Sequence, residues 1–378
     1  MTATTASSSS SKGASSDDGH ERPLGIGFVG AGMVGQLAHI ANFALIPVCR
    51  PVALAELRPR LGGQARDRFG IARLYPDHRA LLTDPEVEAV VVVTRRPATG
   101  GVVLDALEAG RHVLSEKPMA HSLAQAARLV DAARRTGVRY AVGFMKRHDA
   151  GYQRFKALYD GFLASGELGR VVFLRGYCHG GAFACNAEGF VMTDEQRPDG
   201  LEVWPEAPDW LPPALVRDYA WFLNVFVHDV NILRHLVGRS PEVTFADFRH
   251  ANGRVVGFDW GGFSGILDMA EIPFADWEEG IEVLFERGRL RLRFPPPLLR
   301  NVPARIELER TGEAGAVARP AVPWSWAFRR QAEAFVADVR GGREPAASGE
   351  DSLADMDLIE TMWRKAIALG NTPAANRD

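Results

Sequence analysis

The residues best suited to chemistry here are a run of glycines near the start, an acidic residue one element later, a lysine before a proline, and an asparagine–histidine pair. Residues 24–35 hold two overlapping G-x-G-x-x-G matches, Gly25/Gly27/Gly30 and Gly30/Gly32/Gly35. The second is the better register, because its glycines fall at a turn and the first helical residues rather than inside the apolar run of Ile26, Phe28 and Val29. Gly30 then permits the turn, Gly32 the close approach of a pyrophosphate, and Gly35 tight packing of helix on strand. The phosphates sit on the free N–H groups of a helix N-terminus. Glu56 stands 21 residues beyond Gly35, at the end of a second apolar run, Val52 to Leu57. An acidic side chain ~20 residues on holds a ribose diol in such folds. Arg58 beside it is placed to cap an adenine or reach a 2′-phosphate. A carboxylate at the strand end repels that phosphate, so the pattern favours NAD over NADP.

Lys117 lies in Ser115-Glu116-Lys117-Pro118, where the proline restricts it to an extended conformation. A lysine held beside a cationic nicotinamide ring has its ammonium disfavoured, which suits orientation of a substrate hydroxyl or its proton transfer. A solvated loop lysine fits the same spacing equally well. Asn224 and His228, four residues apart, share one face of a helix expected over 219–237, and Asn231 and His235 continue that face. No carboxylate joins them at ligand spacing, so no metal is expected there, and a core or interface histidine is the plain alternative. Cys178 and Cys185 form at most half of a zinc site, since no second ligand pair follows; with Cys49 they read as reduced thiols.

Around these residues the chain alternates in a recognisable order. Val87 to Thr94 is a continuous apolar run of the kind found in a parallel strand buried on both faces, and its end, Thr94-Arg95-Arg96, belongs at the ligand crevice. Gly101–Ala109 reads as a helix closed by Gly110, His112–Leu114 as a strand, 149–164 as a helix and 170–177 as a strand. Residues 179–215 are irregular and rich in Gly, Pro and acidic residues; a stretch that long suggests a cover over substrate, or else a disordered or oligomer-contact loop. From Glu242 to Arg310 short alternating segments (242–248, 263–270, 280–285, 289–294, 305–308) suggest an antiparallel meander. Asp259-Trp260-Gly261-Gly262 reads as a hairpin connection, and 324–339 and 353–369 as amphipathic helices.

Composition sets the outer limits. The 378 residues suffice for two domains, and 46% hydrophobic with 24% charged residues is ordinary for a globular chain. A net charge of −3 leaves no electrostatic footprint for nucleic acid or an anionic membrane. Residues 1–21, rich in Ser, Thr and Ala, are expected to be a disordered tail without the apolar core of a signal peptide. No run spans a membrane, so a cytoplasmic protein is expected.

Gly30-Ala-Gly32-Met-Val-Gly35, Ala106-Leu-Glu-Ala-Gly110-Arg-His-Val, Glu116-Lys117-Pro118 and Gly143-Phe-Met-Lys-Arg147 together resemble the glucose–fructose oxidoreductase/inositol dehydrogenase/MocA family. The resemblance runs from about Leu24 to the C-terminal helix, and Glu-Lys-Pro is its most specific mark. It implies an α/β Rossmann domain with a parallel sheet (22–146), then an α+β domain with a large, mostly antiparallel open sheet (147–378) for substrate binding and oligomerisation. The C-terminal helices are free to pack back on the first domain, and a homodimer or homotetramer is expected. It also implies pyridine-nucleotide chemistry on a sugar, cyclitol or related derivative. Met33, Val34, Thr94, Glu116 and Lys117 then join Gly30, Gly32, Gly35, Glu56 and Arg58 at the cofactor. Met145, Lys146, Asn224 and His228 join Lys117 at the substrate. His228 matches the family's helix histidine and Gly238 the glycine ending that helix, whereas Asn224 stands where inositol-dehydrogenase-like members have aspartate. Asn can orient a hydroxyl but takes no proton, so acid–base work falls on His228, with Lys117 steadying the developing alkoxide. Arg95, Arg96, Lys146 and Arg147 gather near the crevice in sequence order, either to hold an anionic group or as surface and structural pairs; Arg147 fits the latter. A catalytically silent nucleotide sensor on the same fold is the alternative function.

Overall fold

The computed structural model describes residues 22–185, 187–198, 202–250, 252–273, 276–312 and 316–373; the Ser-rich tail lies outside them. β1 (Leu24–Val29) is buried along its whole length, and its in-strand glycines are matters of space. A Cβ on Gly25 would lie 1.8 Å from the Glu86 carbonyl oxygen. A π-helical turn (Gly35–Ile40) runs into α1 (Ala41–Phe43). There follow β2 (Cys49–Ala55), α2 (Pro59–Phe69), β3 (Arg73–Tyr75), α3 (His78–Leu82), β4 (Ala89–Val92), α4 (Arg96–Glu108), β5 (His112–Ser115), α5 (Leu123–Thr136) and β6 (Tyr140–Val142). The six strands pair in parallel in the order β3-β2-β1-β4-β5-β6. This is the doubly wound Rossmann arrangement, whose strand order reverses between β1 and β4, where such sheets open a crevice at their carboxyl ends. β4 is four residues of Ala and Val, all buried, as the uninterrupted apolar run requires.

The second sheet comes from the remainder of the chain. After a 3₁₀ turn at Met145–His148 and α6 (Ala150–Ser165), β7 (Val171–Gly181) enters its middle. α7 (Val216–Val225) and α8 (Val227–Val237) precede β8 (Glu242–His250), β9 (Gly253–Asp259), β10 (Ser264–Ala270), β11 (Trp277–Phe285), β12 (Gly288–Arg293), β13 (Arg305–Arg310) and β14 (Val317–Ala318). Among the described residues these eight strands run in the order β14-β13-β12-β11-β7-β10-β9-β8. Only the β7–β10 pair is parallel. The sheet is therefore mostly antiparallel, as expected, and Trp260–Phe263 is the hairpin connection between β9 and β10. α9 (Ala327–Arg340) packs Ala332, Phe335 and Val336 onto the first sheet's core, while α10 (Gly349–Ala368) reaches α5 and β8.

Three sequence expectations change. The helix expected over 219–237 is two helices broken at Phe226, a fully buried ring held 5.5 Å from Phe222. β9, unforeseen, completes the meander. Trp324 is an exposed residue ahead of α9 rather than its first turn, whereas Trp326 is buried.

Burial also fixes a pH response. His121, His148 and His235 are each pushed down to about 4, and His112 and His228 also lie below their usual value, chiefly by desolvation. The unfolded chain binds these protons near pH ~6.5, so stability falls as pH drops from there toward 4. Asp229, pushed up to about 6 by burial, acts in the opposite sense, as do Asp149 and Asp355, and the histidines outnumber them. Urea-unfolding midpoints measured between pH 7.5 and 4.5 should therefore decrease steadily; a midpoint that rises on acidification would contradict this balance.

Candidate active site

The turn after β1 has a backbone geometry that suits the roles expected of its glycines. Gly30 has φ +95°, a left-handed conformation, and a Cβ there would meet the Val93 carbonyl oxygen at 2.3 Å. A Cβ on Gly35 would lie 2.8 Å from the Gly30 carbonyl oxygen, so helix and turn are in contact. Gly32 has no atom within 4 Å of its Cβ position and faces open space. That space is a cleft of about 950 Å³ lined by Gly30, Gly32–Gly35, Glu56–Arg58 and Thr94–Ala98, among others. A dinucleotide fits these residues: Met33, Val34 and Thr94 stand in the lining as expected. The Glu56 carboxylate accepts from the Ala31 N–H at 2.8 Å, tying the ribose-binding position to the glycine turn. Its two oxygens also accept from Arg58 Nε (2.8 Å) and Nη2 (3.1 Å). Arg58 thus meets the carboxylate rather than open space.

The long irregular stretch lies over this cleft. Val191 exchanges two hydrogen bonds with the Gln36 side chain (2.8 and 2.9 Å). Glu195 accepts from the N–H groups of Arg60 and Leu61 (2.9 and 2.8 Å), capping α2, whose own N-cap residue Arg58 does not. Trp204 donates its backbone N–H to Pro97 and fills the notch at Gly100, where a Cβ would lie 2.3 Å from the indole. Arg197, Glu202, Trp204 and Glu206 line the cleft. These contacts put the described residues 191–198 and 202–206 beside this cleft, where helix N-termini and a bare glycine face offer them partners.

The strand-end tripeptide and the broken helix meet at one point. Lys117 Nζ donates to the Asn224 carbonyl oxygen at 2.8 Å. At the break at Phe226, the carbonyl that an unbroken helix would direct to the His228 N–H goes to Lys117 instead. Glu116 binds His39 Nε2 at 2.8 Å, and although burial opposes it, His39 and Lys117 hold its carboxyl below the usual range. Lys117 is pushed below its usual value by burial, with Arg96 and Lys146 adding to this and Glu116 opposing. His228 is pushed well below by burial, then by Lys117 and Lys146. Its Nδ1 is buried with no hydrogen-bond partner among the described residues, and the ring stands edge-on to Phe144 at 5.9 Å.

Other expected site residues have different surroundings. Met145 is buried in a packed cluster with Trp326 and Phe328. Lys146 is buried and ion-paired with Glu279. Arg147 is structural, as its motif suggested, binding Asn231 and Asp351. Asn231 also binds Asp355, and His235 binds the Tyr152 hydroxyl at 2.6 Å, so neither shares a face with His228 as a ligand. Sequence reading missed Asp229 and Glu279, both buried close to Lys146. Asp229 follows His228 directly and was visible as its neighbour; Glu279 has the same parity as Ile281 and Val283, but the expected strand begins at Gly280.

Glycine geometry gives a direct test. Gly32→Val should fold normally, since its side chain meets nothing, yet lose NAD⁺ binding measured by calorimetry, because it fills the pyrophosphate's space. A Gly32→Val protein that binds NAD⁺ like the parent would refute this assignment.

Comparison with known proteins agrees with this geometry. Residues 24–144 match the model of an oxidoreductase family with an NAD-binding Rossmann fold. Myo-inositol 2-dehydrogenase of Thermotoga maritima is 23% identical, the match covering 86% of this chain and 91% of that protein. Inositol 2-dehydrogenase of Rubrobacter xylanophilus is 26% identical over 86% and 93% of the two chains. A 3-ketoreductase from Actinomadura kijaniata, solved with NADP, shares the fold with a TM-score of 0.71 at 21% identity, over 91% of this chain and 98% of that one. These relatives are named as enzymes, which leaves the regulatory alternative without support. Residues 24–144 thus match the NAD-binding domain of the glucose–fructose oxidoreductase/inositol dehydrogenase/MocA oxidoreductases, the family that the sequence motifs resemble.

Proposed function

We propose that this protein is a pyridine-nucleotide oxidoreductase that interconverts a secondary alcohol and a ketone on a sugar, a cyclitol or a close derivative. The single observation that carries the reading is the meeting of Lys117 with the α7–α8 break, which brings an ammonium and a neutral imidazole to one buried point. The inositol dehydrogenases among its sequence relatives support the substrate class.

When bound, the nicotinamide ring supplies the hydride acceptor or donor. His228, kept neutral by burial and two neighbouring cations, is ready to take the hydroxyl proton and, in the reverse direction, to return it. Lys117 spends one of its three N–H donors on the Asn224 carbonyl, and the others are free to hydrogen-bond the alcohol oxygen as negative charge develops on it. The Asn224 side chain, partly exposed, orients the reacting or adjacent hydroxyl without exchanging a proton. Glu56 favours NAD: its carboxylate suits a ribose diol and repels a 2′-phosphate, and Arg58 is already engaged by it. Residues 22–146 serve the cofactor in this reading and 147–378 the substrate and the assembly of a homo-oligomer.

The decisive assay mixes the protein and NAD⁺ with cyclitols, hexoses, amino sugars and sugar phosphates, and NADH with keto-sugars, following nicotinamide absorbance. Turnover is expected with one of these classes. Lys117→Ala and His228→Gln should each lower kcat by a factor of about 10²–10⁴ while NAD⁺ still binds. Full turnover in Lys117→Ala would remove the lysine from the mechanism, and nucleotide binding with no turnover anywhere would remove the reaction. For the cofactor, NAD⁺ should bind at least about tenfold more tightly than NADP⁺, roughly the worth of one charge-assisted contact. Glu56→Ser should narrow that gap; a parent protein preferring NADP⁺ would reverse the assignment.

A further inference from the structure

The reaction as derived leaves one buried charge cluster unused. Lys146 is 6% exposed and pairs with Glu279 of β11, itself 2% exposed. The second Glu279 oxygen accepts from Trp277 Nε1 at 3.0 Å, so each oxygen of this carboxylate faces one positive or donor group. Asp229 of α8 and Cys178 of β7 face the same space, and the polar atoms of Cys178, Asp229 and Glu279 lie within 4.8 Å of one another. Asp229 Oδ2 is buried without a hydrogen-bond partner among the described residues. Asp149, the N-cap of α6, also acts on Lys146, and the Phe294 ring lies 5.2 Å from its ammonium. On the other side Lys146 acts on both Lys117 and His228. Asp229 directly follows His228 in α8, so the cluster borders the catalytic pair.

Two ammonium groups beside one buried imidazole oppose its protonation, and in a water-poor site that opposition is strong. The position where the family pattern carries an aspartate is Asn224, which bears no charge to offset them. Besides Asp229, negative charge enters from β11, on a strand whose neighbouring inward residues, Ile281 and Val283, are apolar and buried. A buried carboxylate among such residues is costly unless it is paired.

We propose that Glu279 is a positioning residue for the proton-transfer step: by holding the Lys146 ammonium it supplies the charge missing at Asn224 and keeps His228 able to take and return a proton. The proposal rests on His228 being the proton acceptor. Glu279 touches neither substrate nor cofactor in it and acts only through Lys146.

The test is the pH profile of kcat/KM for alcohol oxidation in the parent, Glu279→Gln, Lys146→Met and the double variant, with NAD⁺ affinity and thermal melting measured on each. Removing the Glu279 charge takes away the ion-paired partner of Lys146 and leaves only Asp229 and Asp149 to offset it. The acidic limb should then move to lower pH by about one unit, a tenfold change in the proton equilibrium, and ketone reduction near neutrality should slow about tenfold with it. Lys146→Met should move the limb upward, which keeps the test decisive should Glu279→Gln fail to fold. In the double variant the pair's net charge is unchanged and the limb should return toward the parent position. A Glu279→Gln profile that superimposes on the parent's, or a double variant that keeps the single variant's shift, overturns the proposal. His228→Gln run beside them separates the two readings: pH-dependent turnover surviving there refutes the acid–base role of His228, whatever Glu279 does.

Discussion

The bond from the Lys117 ammonium to the Asn224 carbonyl is the contact on which the site depends. It joins the loop after β5 in the first sheet to a helix break beneath the second. A largely buried ammonium needs acceptors, and unpaired it would be costly. A continuous helix has no spare carbonyl in its interior; a broken one does. The break at Phe226 and the orientation of Lys117 are thus two sides of one arrangement. It also means that the main chain of residue 224 holds the lysine, which leaves the side chain at that position free to face substrate.

The same logic of unsatisfied groups explains where the irregular segment lies. The nucleotide cleft of a doubly wound sheet is rimmed by helix N-termini whose N–H groups lack partners. Glu195 takes two of these on α2, and Trp204 takes the bare surface that Gly100 leaves on α4. Neither contact depends on substrate. The segment is bonded to the rim by its own residues, so it narrows the cleft beside Glu56 and Arg58. Excluding water in this way strengthens the charge interactions inside the site.

How far the sequence discloses this differs by element. β1, the glycine turn, β4 and the Glu-Lys-Pro loop are legible because their patterns are local: an apolar run, a glycine spacing, a proline after lysine. Glu56 was legible by distance along the chain. The break at Phe226 was not, because Tyr219 to Val237 keeps helical periodicity throughout and the interruption depends on Lys117, 107 residues away. β9 was hidden by a segment, Gly253–Asp259, that begins with glycine and arginine, and Arg254 is buried only because Asp218 and Glu271 reach it from elsewhere. Glu279 was hidden for the same reason. A carboxylate one residue ahead of an expected strand reads as part of a solvated connection unless its buried partner is known, and that partner, Lys146, was read as a substrate contact.

Asn224 therefore changes meaning between sequence and structure. By itself it looks like a weakened catalytic position. Within the folded chain, Asp229 and Glu279 lie beside Lys146, and Lys146 acts on both members of the catalytic pair. A carboxylate at residue 224 would act on Lys117 directly, whereas Glu279 acts at one remove, through a second ammonium. The difference is chemical as well as spatial. An aspartate beside the lysine is itself open to protonation during turnover, while a buried carboxylate held between an indole N–H and an ammonium is stabilised in its charged form. In the proposed reaction two tasks that one aspartate would combine are separated: the charge that balances the cations is buried, and the group at 224 assigned to the substrate is neutral. That proposal leaves proton exchange to His228 and has Asn224 recognise a hydroxyl by hydrogen bonding alone.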